Sequence, residues 1–228
     1  MRTYTVQEIA SKIQHTNVNP DLSREDIKAL CEDCIEYGFD GVMLQPAWIE
    51  DAKKHLAGSS VKVCTALGYP MGGATTKAKV YEMENVIELG AEQVDFMANI
   101  GFIKSGMYEE YKNEIAEIVQ AANGNVTKIM LEFGMLTQDE KVKAAELAMD
   151  AGITYLKNSS GWGKGGHATV EDIQLLKEVA GDKLLVKASG GIRDFDSATE
   201  ILNAGASLLG TSAGVKIVTG SGKALSDY

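Results

Sequence analysis

The sequence predicts an α/β chain closing into a single (β/α)8 (TIM) barrel with a short extra N-terminal helix, and three observations carry that prediction. Short apolar, strand-like runs alternate with helical patterns from end to end. Several helical stretches open on Ser or Thr and several close on Gly or Asn, as capped helices do. The strand-like runs number eight in 228 residues, of which 45% are hydrophobic, enough for one large core and short for two ordinary domains. An open doubly wound sheet is the alternative.

The elements follow in order. A short helix is expected near Thr5 to Ser11, within residues 1–12, and the first strand at Ile13 to Thr16. The stretch "SREDIKALCEDCIEYG" reads as a helix entered at Ser23 and left at Gly38, feeding a strand at Gly41 to Gln45 and a third at Lys62 to Leu67. "TTKAKVYEMENVIELG" leads to the fourth strand, Gln93 to Asn99, and "MYEEYKNEIAEIVQAAN" to the fifth, Lys128 to Glu132. "TQDEKVKAAELAMDAG" precedes the sixth, Tyr155 to Asn158, and "TVEDIQLLKEVAG" the seventh, Leu184 to Ser189; the eighth is Leu208 to Thr211. Residues 221–228 read as a loose tail, with the alternative that Tyr228 folds over the barrel mouth and lends a phenol to proton transfer.

Charge and composition exclude several classes. The 22 Lys and Arg stand against 32 Asp and Glu, a net charge of −10 that argues against a general affinity for nucleic acid or anionic lipid. An anionic ligand then needs a local site. No run approaches the roughly 20 apolar residues of a membrane span, and the N-terminal residues have no apolar signal core, so a cytoplasmic protein is expected. Cys31 and Cys34 form a C-x-x-C inside a helical pattern, with no preceding strand and no second pair, which favours plain packing over redox or zinc chemistry. His15, His55 and His167 make no metal-binding pair, so no metal and no cofactor are expected. His15 is either a hydrogen-bonding group of the site or a packed strand residue.

On such a barrel the active site lies at the carboxyl ends of the strands. There the fourth strand carries Asp95 in "VDFMANIG", the sixth ends at Lys157 in "YLKNSSG", and the seventh carries Lys187 in "LLVKASGGIR". A lysine is a nucleophile only when neutral, and desolvation with a second cation nearby lowers its pKa towards that state. Lys187 would act so on Lys157, with Asp95 holding Lys187. Buried ion pairing is the plain alternative for one lysine; two on adjacent strands point to chemistry. "SGGIR" (Ser189 to Arg193) and "GTSAG" (Gly210 to Gly214) follow the last two strands, where barrels commonly build a phosphate site from backbone N–H groups. "GWGKGG" also fits G-x-G-x-x-G through Gly161, Gly163 and Gly166, but it follows the sixth strand rather than the first, so a dinucleotide site is the weaker reading.

The chain resembles the deoxyribose-phosphate aldolase family over nearly its whole length, through His15-Thr16, "ALCEDCIEYGF", "GYPMG", "VDFMANIG", "LKNSSGWGKGG", "VKASGGIR" and "GTSAGVKIV". The resemblance implies a metal-free class I aldolase that cleaves 2-deoxyribose 5-phosphate reversibly into acetaldehyde and glyceraldehyde 3-phosphate. It implies Lys157 as the Schiff-base lysine, Lys187 as the lysine that perturbs it, Asp95 as the proton-relay carboxylate, and Gly190, Gly191, Arg193, Gly210 and Ser212 as the phosphate-binding region. Thr16 and Gly161 join the expected substrate contacts, and a homodimer or higher homo-oligomer is the expected assembly. Gln14, Gln45, Phe133 and Asn158 depart from the family's residues near strand ends, as Ala213 does after the eighth. They are expected to touch substrate, and to make deoxyribose 5-phosphate a poor substrate beside a related phosphorylated sugar. A non-covalent phosphosugar isomerase and a phosphosugar-binding protein are the other readings.

Overall fold

The computed structural model describes residues 2–220. The expectations for the tail and Tyr228 lie outside them. Eight parallel strands close in sequence order into a barrel, each hydrogen-bonded to the next and the eighth to the first. The strands are β1 Ile13–Thr16, β2 Gly41–Leu44, β3 Lys62–Leu67, β4 Gln93–Met97, β5 Val126–Met130, β6 Tyr155–Lys157, β7 Leu185–Ser189 and β8 Leu208–Thr211. The helices are α1 Val6–Ala10, α2 Arg24–Tyr37, α3 Ile49–His55, α4 Thr76–Leu89, α5 Ile100–Lys104, α6 Tyr108–Ala121, α7 Gln138–Asp150, α8 Val170–Ala180, α9 Phe195–Ala204 and α10 Gly214–Thr219. Closure follows from the alternation: each strand buries both faces, so the sheet needs an outer helical layer and an inner packing of its own side chains.

The ends of the helices match their expected caps. Thr5, Ser23 and Thr137 each accept a backbone N–H in a reciprocal capping box, and Thr75 and Thr169 cap α4 and α8. Gly38 and Gly90 end α2 and α4 in the left-handed conformation that a side chain would strain. Among the described residues no helix is long and apolar enough to cross a membrane.

β2, β6 and β7 are each one residue shorter than expected, and two strands differ by two residues. β4 stops at Met97, because Asn99 already serves as the N-cap of α5. β5 runs two residues earlier than expected, since Glu132 turns left-handed (φ 52°, ψ 54°) and starts a 3-10 turn over Phe133–Met135. A left-handed residue cannot continue a strand.

The core has two parts. Leu, Ile, Val and Ala from the outward strand faces and the helices form the large one, including Ile27, Leu30, Val42, Ile129 and Leu156. Inside the barrel a smaller apolar cluster, Val18, Met43, Cys64, Ala66, Met97 and Met130, lies beside a polar half. The cysteines Cys31, Cys34 and Cys64 are buried and free.

Candidate active site

The polar half of the barrel interior centres on Asp95, which is fully buried. Its Oδ2 accepts from Lys157 Nζ at 2.8 Å and from Lys187 Nζ at 2.7 Å. The register explains the convergence: Lys157 on β6 pairs with Lys187 on β7, and inward residues of β4, β6 and β7 meet across the narrow barrel. Burial pushes the Asp95 carboxyl up, but the ammoniums of Lys157, Lys187 and Lys128 overcome that and hold it well below the usual carboxylate range. For Lys187 burial comes first and pushes the ammonium down to about 7; Asp95 opposes this, while Lys157 and Lys128 add to it. A group near 7 inside the site can take up or give back a proton at neutral pH.

Lys128 was not singled out from the sequence. Its ammonium is fully buried and lies 3.2 Å from Asp95 Oδ1, off the hydrogen-bonding direction, and 5.7 Å from the centre of the Tyr155 ring. It sits in the middle of β5, so attention to strand ends passed over it; a lysine in an inward, otherwise apolar strand position was the available signal.

Beneath the lysines the polar chain continues downwards. Lys187 Nζ also donates to Gln14 Oε1 at 2.5 Å, and Gln14 Nε2 donates to Gln93 Oε1 at 2.8 Å and Asp40 Oδ2 at 2.9 Å, with Asp40 paired to Lys62. Gln14 uses the amide's capacity to accept on one atom and donate on the other. It supports Lys187 from below and does not line the pocket.

Above the lysines a pocket opens, with Lys157 at its inner end. Its walls are Thr16 at the end of β1, Ser160 and Gly161 after β6, Gly190, Gly191 and Arg193 after β7, and Gly210 and Ser212 at and after β8. Seven of the expected substrate contacts are therefore gathered with Lys157. Gly190 (φ +92°) and Gly191 (φ +75°) are left-handed, and a Cβ on Gly190 would lie 2.7 Å from Gly166 O. Only glycine lets this turn pack so closely.

Three other expected contacts lie off this wall. Gln45 lines a separate, mainly apolar cleft of about 280 Å³ with Val18, Ala66, Tyr69 and Trp162, and its Nε2 donates to Val18 O. Phe133 is buried in the outer core, its ring 5.1 Å from Lys141 Nζ. Asn158 follows inward Lys157 and so points outward, where it bonds both the N–H and the C=O of Ser189 and ties β6 to β7. None of the three side chains is among those lining the Lys157 pocket. His15 is a packed residue, 5.2 Å from the Phe39 ring and 3.7 Å from Asp33, on the outer side of β1. Among the described residues no three His, Cys, Asp or Glu side chains gather to hold a metal ion.

This (β/α)8 barrel, with buried lysines on one carboxylate beside a glycine-walled pocket, belongs to the class of carbon–carbon lyases. Residues 9–219 match the model of the DeoC/LacD family aldolases, and the chain belongs to that family. It is 45% identical over 216 residues to the deoxyribose-phosphate aldolase of Dictyoglomus turgidum, covering 95% of this chain and 98% of that protein. Among solved structures it is similar to an aldolase, QR15 (TM-score 0.88, 32% identity, 92% of this chain and 94% of that one). It is also similar to the tetrameric deoxyribose phosphate aldolase of Aeropyrum pernix (TM-score 0.87, 28% identity, 94% and 91%).

Proposed function

We propose that this aldolase cleaves 2-deoxy-D-ribose 5-phosphate reversibly into acetaldehyde and D-glyceraldehyde 3-phosphate, through a Schiff base on Lys157. The observation that carries this is the position of Lys157 Nζ, hydrogen-bonded to Asp95 and at the inner end of the pocket formed by the turns after β7 and β8. The substrate phosphate binds at those turns, among backbone N–H groups and Arg193, which answers the problem of holding an anion on an acidic protein. The sugar chain then spans from the turns to the lysine.

Neutral Lys157 attacks the C1 carbonyl, and loss of water gives an iminium. Removal of the C3 hydroxyl proton lets the C2–C3 bonding pair move into the iminium, which releases glyceraldehyde 3-phosphate and leaves an enamine. Protonation at C2 and addition of water free acetaldehyde and the amine. Asp95 and Lys187 handle these protons through water, Lys187 being poised near neutral pH. The names of the similar proteins and the intact lysine–aspartate cluster support the reading, and assembly as a homo-oligomer is proposed with it.

Borohydride reduction in the presence of deoxyribose 5-phosphate, followed by peptide mass spectrometry, is expected to find the adduct on Lys157 and none in Lys157→Leu. A wild-type protein that turns over substrate without a Lys157 adduct overturns the mechanism. Turnover surviving in Lys157→Leu does the same.

A further inference from the structure

The mechanism leaves one buried carboxylate beside the site unused. Glu132 is only 2% exposed, and it is one of two non-glycine residues with a positive φ among the described residues. Such a conformation is strained for a residue with a side chain and persists where surrounding contacts require it. Here most of those contacts run to the end of β6 and the loop after it. The backbone N–H groups on either side, of Leu131 and Phe133, donate to Lys157 O and Asn158 O, each at 2.9 Å. The left-handed turn between them aims the side chain at Ser160, whose N–H and Oγ both donate to the Glu132 carboxylate. Ser160 Oγ in turn accepts from Trp162 N–H at 3.0 Å.

The packing leaves no room for slack. A Cβ on Gly165 would lie 2.1 Å from Glu132 Oε2, and one on Gly134 would lie 2.3 Å from Lys164 O. The turns after β5 and β6 are therefore fitted to each other through glycine, with Glu132 between them. Ser160 and Gly161 are the part of this loop that lines the pocket, together with Gly190 and Arg193. The Lys157 side chain is held by Asp95, and its backbone by the sheet and by Leu131 N–H.

We infer that Glu132 is a positioning residue: its carboxylate clasps Ser160 and so fixes the wall that grips the phosphorylated end of the substrate, without taking part in bond making at Lys157. This rests on the proposed aldolase reading and adds to it a determinant of affinity for phosphorylated substrates. The burial that raises the Glu132 carboxyl is offset in part by the two Ser160 bonds and by Lys157, in keeping with a group built to accept hydrogen bonds.

The test is steady-state kinetics with deoxyribose 5-phosphate, beside borohydride trapping of acetaldehyde alone, which has no phosphate to grip. Glu132→Ala is expected to raise KM about tenfold or more, the scale of losing a hydrogen bond to a charged acceptor, with kcat within about threefold. Acetaldehyde trapping on Lys157 stays at the wild-type level. Glu132→Gln keeps an acceptor for Ser160 N–H and a donor for its Oγ, so it restores KM. Gly165→Ala has no backbone strain of its own and is expected to reproduce the KM rise by pushing the carboxylate aside. Added to Glu132→Ala, it should cost nothing further. If Glu132→Ala does not fold, Gly165→Ala and Glu132→Gln carry the same comparison. An unchanged KM, a fall in kcat alone, or full additivity of the two changes overturns the inference. Failure of the wild type to trap acetaldehyde on Lys157 would instead count against the aldolase mechanism.

Discussion

Replacing Lys187 by Met should stabilise the fold at pH 6 while damaging catalysis. The Lys187 ammonium is fully buried, and its pKa falls from 10.5 to about 7, mainly through burial. That gap of 3.5 pH units corresponds to about 5 kcal/mol of folding free energy spent on keeping the group charged, at about 1.4 kcal/mol per unit. The cost is fully present below pH 7, where both folded and unfolded chains carry the proton. It fades as pH rises towards 10.5, where the unfolded chain also loses it. Methionine removes this cost but leaves Gln14 Oε1 without its donor, a penalty of about 1–3 kcal/mol. Two lysines remain on Asp95, so the carboxylate keeps its counter-charge. The net expectation is a gain of about 2–4 kcal/mol at pH 6 that turns into a loss of about 1–3 kcal/mol near pH 10.5. Urea denaturation of both proteins at the two pH values measures it. A change of the same size and sign at both would refute the reasoning, since the effect would then come from packing and not from a buried charge.

Asp95→Asn strips three buried lysines of their shared carboxylate and is expected to cost about 3–5 kcal/mol at pH 7. Because the Asp95 carboxyl is held below its ordinary 3.8, that contribution is present above pH 4 and is lost only as acid approaches its lowered folded value; an acid-titrated denaturation series checks this. Gly190→Ala places a Cβ 2.7 Å from Gly166 O on a left-handed residue, and should destabilise by about 1–3 kcal/mol while raising KM for the phosphorylated sugar. The thiols of Cys31 and Cys64, pushed up by burial to about 12 and about 11, should resist a thiol reagent at pH 8 in the native protein and react together on unfolding; rapid native labelling would contradict their packed role.

Much of this protein is legible in one dimension because its signals are local. Eight apolar runs between capped helices cannot bury both faces except in a closed or doubly covered sheet, and a lysine at the end of such a run is costly enough to mark itself. Lys157, Lys187 and the glycine turns after β7 and β8 were found that way. Proximity to a strand end did not separate side chains that enter the pocket from those that turn away. Asn158 follows inward Lys157 and faces outward, Phe133 lies beyond the left-handed Glu132 in the outer core, and Gln45 enters a different cleft.

Tertiary structure decided which further groups join Asp95, Lys157 and Lys187. Closure of the barrel brings Asp95, Lys128, Lys157 and Lys187 from four strands onto one carboxylate, and sets Gln14 beneath Lys187 from 173 residues away in sequence. The physical reason is register. Local propensity and the alternation of side chains fix that a residue points inward, whereas the strand offsets around the closed barrel fix which inward residues share a layer. The same holds for Glu132, whose left-handed backbone is explained by a serine on the next loop rather than by its neighbours in the chain.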